Sequence, residues 1–164
     1  IRLTSIVLVF MLTATGIYDF LTVLKKNTPN TAIVLDLDDP LTNWINENSN
    51  SQDIFLTSNY AINQVVLGGA MLYQGWQYFA WSAGYDTQYR DAQVKRMYEA
   101  SSPEELDMLV KENHIRFIIV DRDNRFSEDY QLNETNIQST YACVYRQGEG
   151  EWETAIYDTQ LPLQ

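Results

Sequence analysis

The amino-acid sequence predicts an α/β fold preceded by a hydrophobic N-terminal helix. Beyond Lys26, short apolar runs alternate with helical patterns, which is typical of a sheet covered by helices. We expect three layers, with a mostly parallel sheet that ends in a C-terminal β-hairpin. A chain of 164 residues is long enough for one domain with a hydrophobic core. We therefore assign residues 1–26 to the leading helix and 27–164 to the α/β domain.

The leading segment is apolar on every helical face. Residues 3–24 carry one charge, Asp19, and as one continuous helix they are long enough to cross the ~30 Å hydrocarbon layer of a bilayer. One alternative is a secretory signal peptide with Arg2 as its basic end. Another is a buried helix of a soluble domain, which Asp19 and the threonines favour. We expect a membrane helix, with Asp19 near the end from which the α/β domain emerges.

The elements of the α/β domain follow from local patterns. Asp39 before Pro40 is typical of a helix N-cap and first position, and Ser102, Pro103 and Glu105 match a capping box. The elements expected in chain order are strands at 32–36, 54–58 and 63–73, helices at 40–48, 86–100 and 103–113, a strand at 115–121 and a hairpin at 141–158. In the third strand, Gly68 and Gly69 indicate a bulge or a close backbone approach.

The strand at 115–121, IRFIIVD, is continuous and β-branched, so we expect it inside the sheet and buried on both faces. The runs TYACVYR and WETAIYD are separated by a turn that contains Gly148 and Gly150, which predicts the terminal hairpin, toward an edge. Cys143 lies in the first of these strands, and we interpret it as a small buried side chain.

Composition excludes several classes of function. The chain has 22 acidic and 11 basic residues, a net charge of −11, and no basic stripe, so nucleic acid is not an expected partner. It also has no phosphate loop, dinucleotide fingerprint or serine elbow, and we expect no cofactor. The one histidine, His114, follows the 103–113 helix and is interpreted as a helix C-terminal residue rather than a catalytic base.

Two groups of carboxylates have both a structural and a functional interpretation. Asp36, Asp38 and Asp39 follow the first predicted strand, where α/β folds often bind ligands, but an N-cap and a solvated turn explain them as well. Residues 121–128 resemble a calcium loop only loosely, because they lack its glycine and its carboxylate spacing. We expect no metal site.

The segment 67–90, LGGAMLYQGWQYFAWSAGYDTQYR, contains seven aromatic residues and four glycines. A core helix is expected to carry its aromatic residues on one stripe without glycine. One hypothesis is therefore a binding surface that includes Trp76 and Tyr85. The other is that the rings fill the space between a helix and the sheet.

Asp86 and Arg90 are spaced four residues apart, so a helix that begins near residue 86 would place them on one face as an ion pair. Arg90 ends an apolar stripe, where an unpaired guanidinium would be costly. The pair is either a structural clamp or the border of a polar pocket with Tyr85 and Trp76.

The order of several segments resembles the extracytoplasmic C-terminal tail of bacterial polytopic glycosyltransferases of the GT-C superfamily. These enzymes use lipid-linked sugar donors, and the resemblance covers nearly the whole chain. It rests on a hydrophobic helix ending in GIYDF, followed by WINENSN, LGGAMLYQGWQY, SAGYDTQYR and IRFIIVD. In that superfamily the catalytic acidic residue lies in the first extracytoplasmic loop, to which no part of this chain corresponds.

The resemblance implies a non-catalytic domain that assists acceptor or donor binding on the extracytoplasmic side of a bacterial cell membrane. Its expected partners are the membrane and a lipid-linked sugar or glycan acceptor, and its expected substrate-binding residues are Trp76, Tyr85, Asp86 and Arg90. A binding or scaffold domain of another membrane-anchored protein, with no role in sugar transfer, is the alternative. A self-contained soluble enzyme ranks third, because no nucleophile and base pair is recognisable.

Overall fold

The computed structural model describes residues 2–26, 36–59, 61 and 64–163. The chain divides into two units, Ile1–Leu35 and Asp36–Gln164. The strand expected at 32–36 lies outside the described residues, except for Asp36.

The first unit contains one long helix, α1 (Arg2–Lys26), as the sequence predicts. Its 25 residues extend over about 37 Å, which exceeds the ~30 Å hydrocarbon thickness of a bilayer. Its described side chains are exposed, apart from the partly buried Ala14 and Thr22. By length and composition, α1 is therefore suited to spanning a membrane.

Two of the threonines of α1 do not weigh against this interpretation, because their hydroxyls are hydrogen-bonded within the helix. The Thr13 hydroxyl donates to the Val9 carbonyl at 2.9 Å, and the Thr22 hydroxyl donates to the Tyr18 carbonyl at 2.9 Å. A hydroxyl without a partner is costly in hydrocarbon, but these bonds satisfy the donors within the helix itself.

The second unit is a mixed α/β domain. Its helices are α2 (Pro40–Asn48), α3 (Gln64–Leu67), α4 (Gln77–Ser82), α5 (Gln88–Tyr98), α6 (Pro103–Glu112), α7 (Arg122–Arg125) and α8 (Glu134–Thr140). Its strands are β1 (Ile54–Leu56), β2 (Met71–Leu72), β3 (Ile115–Val120), β4 (Tyr141–Gln147) and β5 (Thr154–Pro162), with a 3₁₀ turn at Gly150–Trp152 before β5. The N-caps follow prediction, since Asp39 accepts from the Leu41 amide at 2.8 Å and Ser102 from the Glu105 amide at 3.2 Å. The predicted capping box is incomplete, because the Glu105 carboxylate accepts from the Ser101 amide at 2.9 Å.

The five strands form one sheet in the order β2-β1-β3-β5-β4. β1 pairs in parallel with β2 and β3, whereas β5 pairs antiparallel with β3 and β4. The expectation of a mostly parallel sheet is therefore wrong, and the sheet is mixed. The reason is that β4 and β5 are joined by a short turn, which permits only antiparallel pairing, and β5 rather than β4 lies against β3.

The two faces of the sheet carry separate groups of core side chains. On β3, Phe117 and Ile119 pack with side chains of α2 and α3, whereas Ile118 and Val120 pack with side chains of α5, α6 and α8. Three consecutive residues of this strand, Ile118 to Val120, are 0% exposed. The prediction that this strand lies inside the sheet is confirmed.

The third strand predicted at 63–73 is mostly wrong. The chain forms α3 and then only the two-residue strand β2. Gly69 adopts φ +84°, and its amide donates to the Val66 carbonyl at 3.0 Å while the Ala70 amide donates to the Val65 carbonyl at 3.3 Å. These two bonds are a Schellman motif, so the glycines end a helix rather than form a bulge. The alternative, a close approach, is confirmed at Gly68, where an added Cβ would lie 2.9 Å from the Ile45 side chain.

Cys143 is another correction, because it is exposed rather than buried. It lies on β4, an edge strand of the sheet, where the pairing with β5 shifts register between Cys143 and Tyr145. A bulge of this kind redirects side chains, and an edge strand has a neighbour on one side only.

Candidate functional site

The aromatic segment forms an exposed surface on the α/β domain. We call the rings of Trp76, Tyr78, Phe79, Trp81 and Tyr85 the aromatic surface. Helix α4, which carries three of them, has no buried residue, and the exposed fractions reach 64% for Trp81 and 70% for Tyr85. The hypothesis that these rings fill the core is therefore wrong.

Four of the rings contact one another as a continuous group. The Trp76 ring lies 5.3 Å from Phe79 in an edge-to-face arrangement and 5.8 Å from Tyr78, whose ring lies 6.2 Å from Trp81. A contiguous group of exposed apolar side chains indicates an interaction surface more often than an isolated exposed apolar residue does. Trp and Tyr combine a flat apolar face with a polar edge, which suits a sugar ring or a lipid interface.

Two glycines with positive φ lie on either side of the helix that carries three of these rings. Gly75 has φ +62° two residues before α4, and Gly84 has φ +87° two residues after it. At the C-terminal end, the Gly84 amide donates to the Trp81 carbonyl at 2.9 Å and the Tyr85 amide to the Ala80 carbonyl at 3.0 Å. This second Schellman motif closes α4 after six residues and directs the chain toward Asp86.

Two shallow cavities adjoin the aromatic surface and share Thr87. The first, which we call the Trp81 cavity, has a volume of about 430 Å³ and is lined by Trp76, Gln77, Tyr78, Trp81, Thr87 and Gln88. The second, the Arg90 cavity, has a volume of about 390 Å³ and is lined by Gln74, Ala80, Tyr85, Asp86, Thr87 and Arg90. Three of the predicted site residues thus share one cavity, and Trp76 lies in its neighbour.

The predicted ion pair between Asp86 and Arg90 is wrong. Within the described residues these two side chains form no salt bridge. Helix α5 begins at Gln88, so Asp86 precedes the helix, and its carboxylate instead accepts from the Gln88 amide at 3.0 Å. The four-residue spacing places two side chains on one face only when both belong to the helix.

Arg90 is held by Tyr73 instead. Its Nη1 donates to the Tyr73 carbonyl at 2.7 Å, and the guanidinium lies 5.3 Å from the centre of the Tyr73 ring. Burial raises the pKa of Tyr73, against the effect of the nearby Arg90, so the Tyr73 hydroxyl stays protonated and donates to Asn113 at 2.5 Å. Arg90 is thereby anchored at one nitrogen while its side chain lines the cavity.

The polar residues Gln74, Thr87 and Gln88 were not among the predicted site residues. Their types are ordinary for loops, and only the three-dimensional path of the chain brings them beside the rings. Among the residues that the structure describes, no group of three or more potential metal ligands occurs.

Asp121, Asp39 and His114, which the sequence also singled out, have structural roles. Asp121 caps α7 in a reciprocal capping box with Asn124, and Asp39 caps α2. His114 follows the C-cap of α6 and adopts φ +55°, which is the left-handed conformation common after a helix end. These residues are explained without a ligand.

Comparison of the chain with protein-family models finds no match, and comparison with curated proteins finds none either. The role of the aromatic surface must therefore be inferred from the residues that form it.

Proposed function

We propose that the α/β domain is a non-catalytic extracytoplasmic domain of a bacterial membrane glycosyltransferase that uses lipid-linked sugar donors. In this proposal the aromatic surface and the Arg90 cavity assist binding of the sugar donor or the glycan acceptor. The observation that carries it is the exposure of the aromatic surface beside a cavity that contains Asp86 and Arg90.

The chemistry of the surface suits a carbohydrate. A sugar ring presents apolar C–H groups, which pack on Trp or Tyr faces, and hydroxyl groups, which need hydrogen-bond partners. Within the described residues, Arg90 uses one of its five N–H donors on Tyr73. The remaining donors and the Asp86 carboxylate supply the polar partners for a sugar hydroxyl or a phosphate.

The helix α1 supports a location at the membrane. Ten residue steps connect Lys26 to Asp36, and an extended chain of that length reaches at most ~35 Å. A domain tethered in this way to a membrane helix remains close to the bilayer, where the head group of a lipid-linked sugar lies. The alternative is a scaffold domain with no role in sugar transfer. It predicts the same membrane anchor, but a function that does not depend on a sugar.

The test is glycosyl transfer by the full-length gene product carrying Arg90→Met. This substitution keeps the bulk of the side chain and removes its charge and donors. We expect activity to fall about tenfold or more, which corresponds to ~1.4 kcal/mol. Arg146→Met is the matched control, because Arg146 is an exposed arginine on β4 that pairs with Glu153.

Transfer at the wild-type rate by a stably folded Arg90→Met protein would remove the proposed role of this cavity. The full reading frame supplies a second test. Further hydrophobic spans upstream, with an acidic residue in the first outer loop, support the transferase, whereas a single span overturns it.

A further inference from the structure

A separate cavity of about 380 Å³ lies at the carboxyl ends of β1 and β3. Ser58 and Asn59, which follow β1, line one side of it, and residues of the segment 122–130, which follows β3, line the other. We call it the switch-point cavity. Its volume falls in the range of roughly 300–1,000 Å³ that is usual for small-molecule sites.

The topology of the sheet makes this position significant. The strand that follows β1 in the chain, β2, pairs with one side of β1, and the next strand, β3, pairs with the other side. Both pairings are parallel. The strand order thus reverses between β1 and β3. In open α/β sheets, ligands bind outside the carboxyl ends of the strands at such a reversal.

Two lining residues have buried polar atoms without a hydrogen-bond partner among the described residues. Ser58 is 3% exposed, and neither its hydroxyl nor the side-chain carbonyl of Asn59 has a hydrogen bond to any residue in the described ranges. Leaving a buried polar group unsatisfied costs ~1–3 kcal/mol, and such groups are uncommon in native proteins. Both atoms can accept hydrogen bonds, so a ligand that donates them relieves this cost.

The charges that line the cavity are mainly negative. The cavity is lined by three acidic residues, Asp123, Glu128 and Asp129, and by one basic residue, Arg122, which gives a net charge of −2. The protein as a whole carries −11. Anions are therefore disfavoured at this cavity, whereas a cation that donates hydrogen bonds is attracted.

The loop that carries these groups is held in place by buried hydrogen bonds. Asp121 and Asn124 each accept a hydrogen bond at the side chain from the backbone amide of the other. The side-chain amide of Asn124 also donates to the Tyr130 hydroxyl at 2.9 Å. The Tyr130 ring stacks on Tyr98 at 4.9 Å. Phe126, 59% exposed, adds an apolar wall. The cavity is therefore largely preformed, which reduces the entropy cost of binding.

We propose that the switch-point cavity binds a small organic cation through a primary ammonium group, as found in a simple amine or an amino sugar. Asp129 and Glu128 balance its charge, and Ser58 and the Asn59 carbonyl accept its remaining donors. The proposal is independent of the aromatic surface.

The test is thermal unfolding of the full chain in detergent, titrated with glucosamine and with ethanolamine at a pH that protonates both amines. A ligand that binds the native state raises Tm in a saturable manner. We expect saturation in the millimolar range with glucosamine, no shift with glucose or inorganic phosphate, and the same shift in Trp81→Ala. A shift with ethanolamine as well identifies the ammonium group alone as sufficient, and a shift with glucosamine only identifies an amino sugar.

Two variants test whether the rise in Tm comes from binding at the switch-point cavity. Glu128→Gln and Asp129→Asn are each expected to weaken the response about tenfold, whereas Glu47→Gln, the same charge change on the exposed side of α2, leaves it unchanged. Glu128 tests the charge without disturbing the bond from Asn59 to Asp129 at 3.2 Å. Absence of a shift with both amines, an equal shift with glucose, loss of the response in Trp81→Ala, or a full response in both cavity variants overturns the proposal.

Discussion

Arg90 shows how far sequence reasoning reaches at the scale of single residues. The hypothesis that Asp86 and Arg90 border a pocket with Tyr85 and Trp76 followed from their closeness along the chain, and all of them except Trp76 line one cavity. The partner of Arg90 was not predictable. It is the backbone carbonyl of Tyr73, 17 residues away, and the start of α5 at Gln88 removes Asp86 from the helical face.

Glu134 provides a residue-scale prediction about pH. Arg125 donates to both of its carboxylate oxygens, at 2.8 and 2.9 Å, and this guanidinium holds the pKa of Glu134 below its usual value. A depressed pKa means that the ionised form stabilises the fold above the unfolded-state pKa, and that this stabilisation is lost as pH falls through the folded-state pKa.

We therefore expect Glu134→Gln to lower the free energy of unfolding by ~1.5–3 kcal/mol at neutral pH. The difference from wild type shrinks once the pH is below ~4.3, the usual pKa of an unpaired glutamate. Urea unfolding at several pH values measures this loss of unfolding free energy and its dependence on pH. The control is Glu149→Gln, at an exposed position. A difference that is constant with pH contradicts the ionic role of this contact.

At the scale of elements, the sequence predicted what local signals determine. Helices α2 and α6 were predicted because their caps, Asp39 and Ser102, act within three residues. Helix α3 was missed because four residues are too few to show a helical period, and its closing glycines also fit a bulged strand. The place of β5 beside β3 depends on pairing across 35 or more residues, which no local pattern reveals.

Gly69 gives an element-scale prediction. A side chain there meets open space, but the residue has φ +84°, a conformation that costs most L-residues ~1–2 kcal/mol. We expect Gly69→Ala to destabilise the domain by about that amount, and Gly69→Asn to cost less, because asparagine tolerates this conformation. Chemical unfolding of both variants is the measurement. Equal losses of unfolding free energy in the two variants would contradict the positive φ of Gly69 as the cause.

The exposure of α4 is the main feature of the site that the sequence left open. Aromatic residues at helical spacing indicate a core and a surface equally well, and the decision depends on whether another element packs on them. In the structure none of the residues of α4 is buried. Only the fold of the whole domain settles this, because the sheet and helices α5, α6 and α8 complete the core without these rings.

For the whole molecule, the first prediction concerns α1. We expect the 164-residue chain, expressed alone, to remain with membranes after alkaline extraction. The double substitution Val9→Arg and Leu12→Arg places two charges in the apolar helix, each costing ~2.5–3.5 kcal/mol at its centre, and releases the chain to the soluble fraction. Met108→Arg, at an exposed position of α6, is the control. A wild-type chain that is wholly soluble contradicts the membrane assignment.

The account as a whole depends on what the aromatic surface contacts. Binding of the full-length protein to vesicles that contain a prenyl-phosphate-linked hexose, compared with vesicles without the hexose, tests this most directly. Trp81→Ala removes a ring that is 64% exposed on the aromatic surface, and Trp152→Ala removes a ring that is 67% exposed elsewhere. We predict sugar-dependent binding that weakens about tenfold, or ~1.4 kcal/mol, in Trp81→Ala and is unchanged in Trp152→Ala. Equal binding to both kinds of vesicle, or equal losses in the two variants, would contradict a role of this surface in sugar recognition.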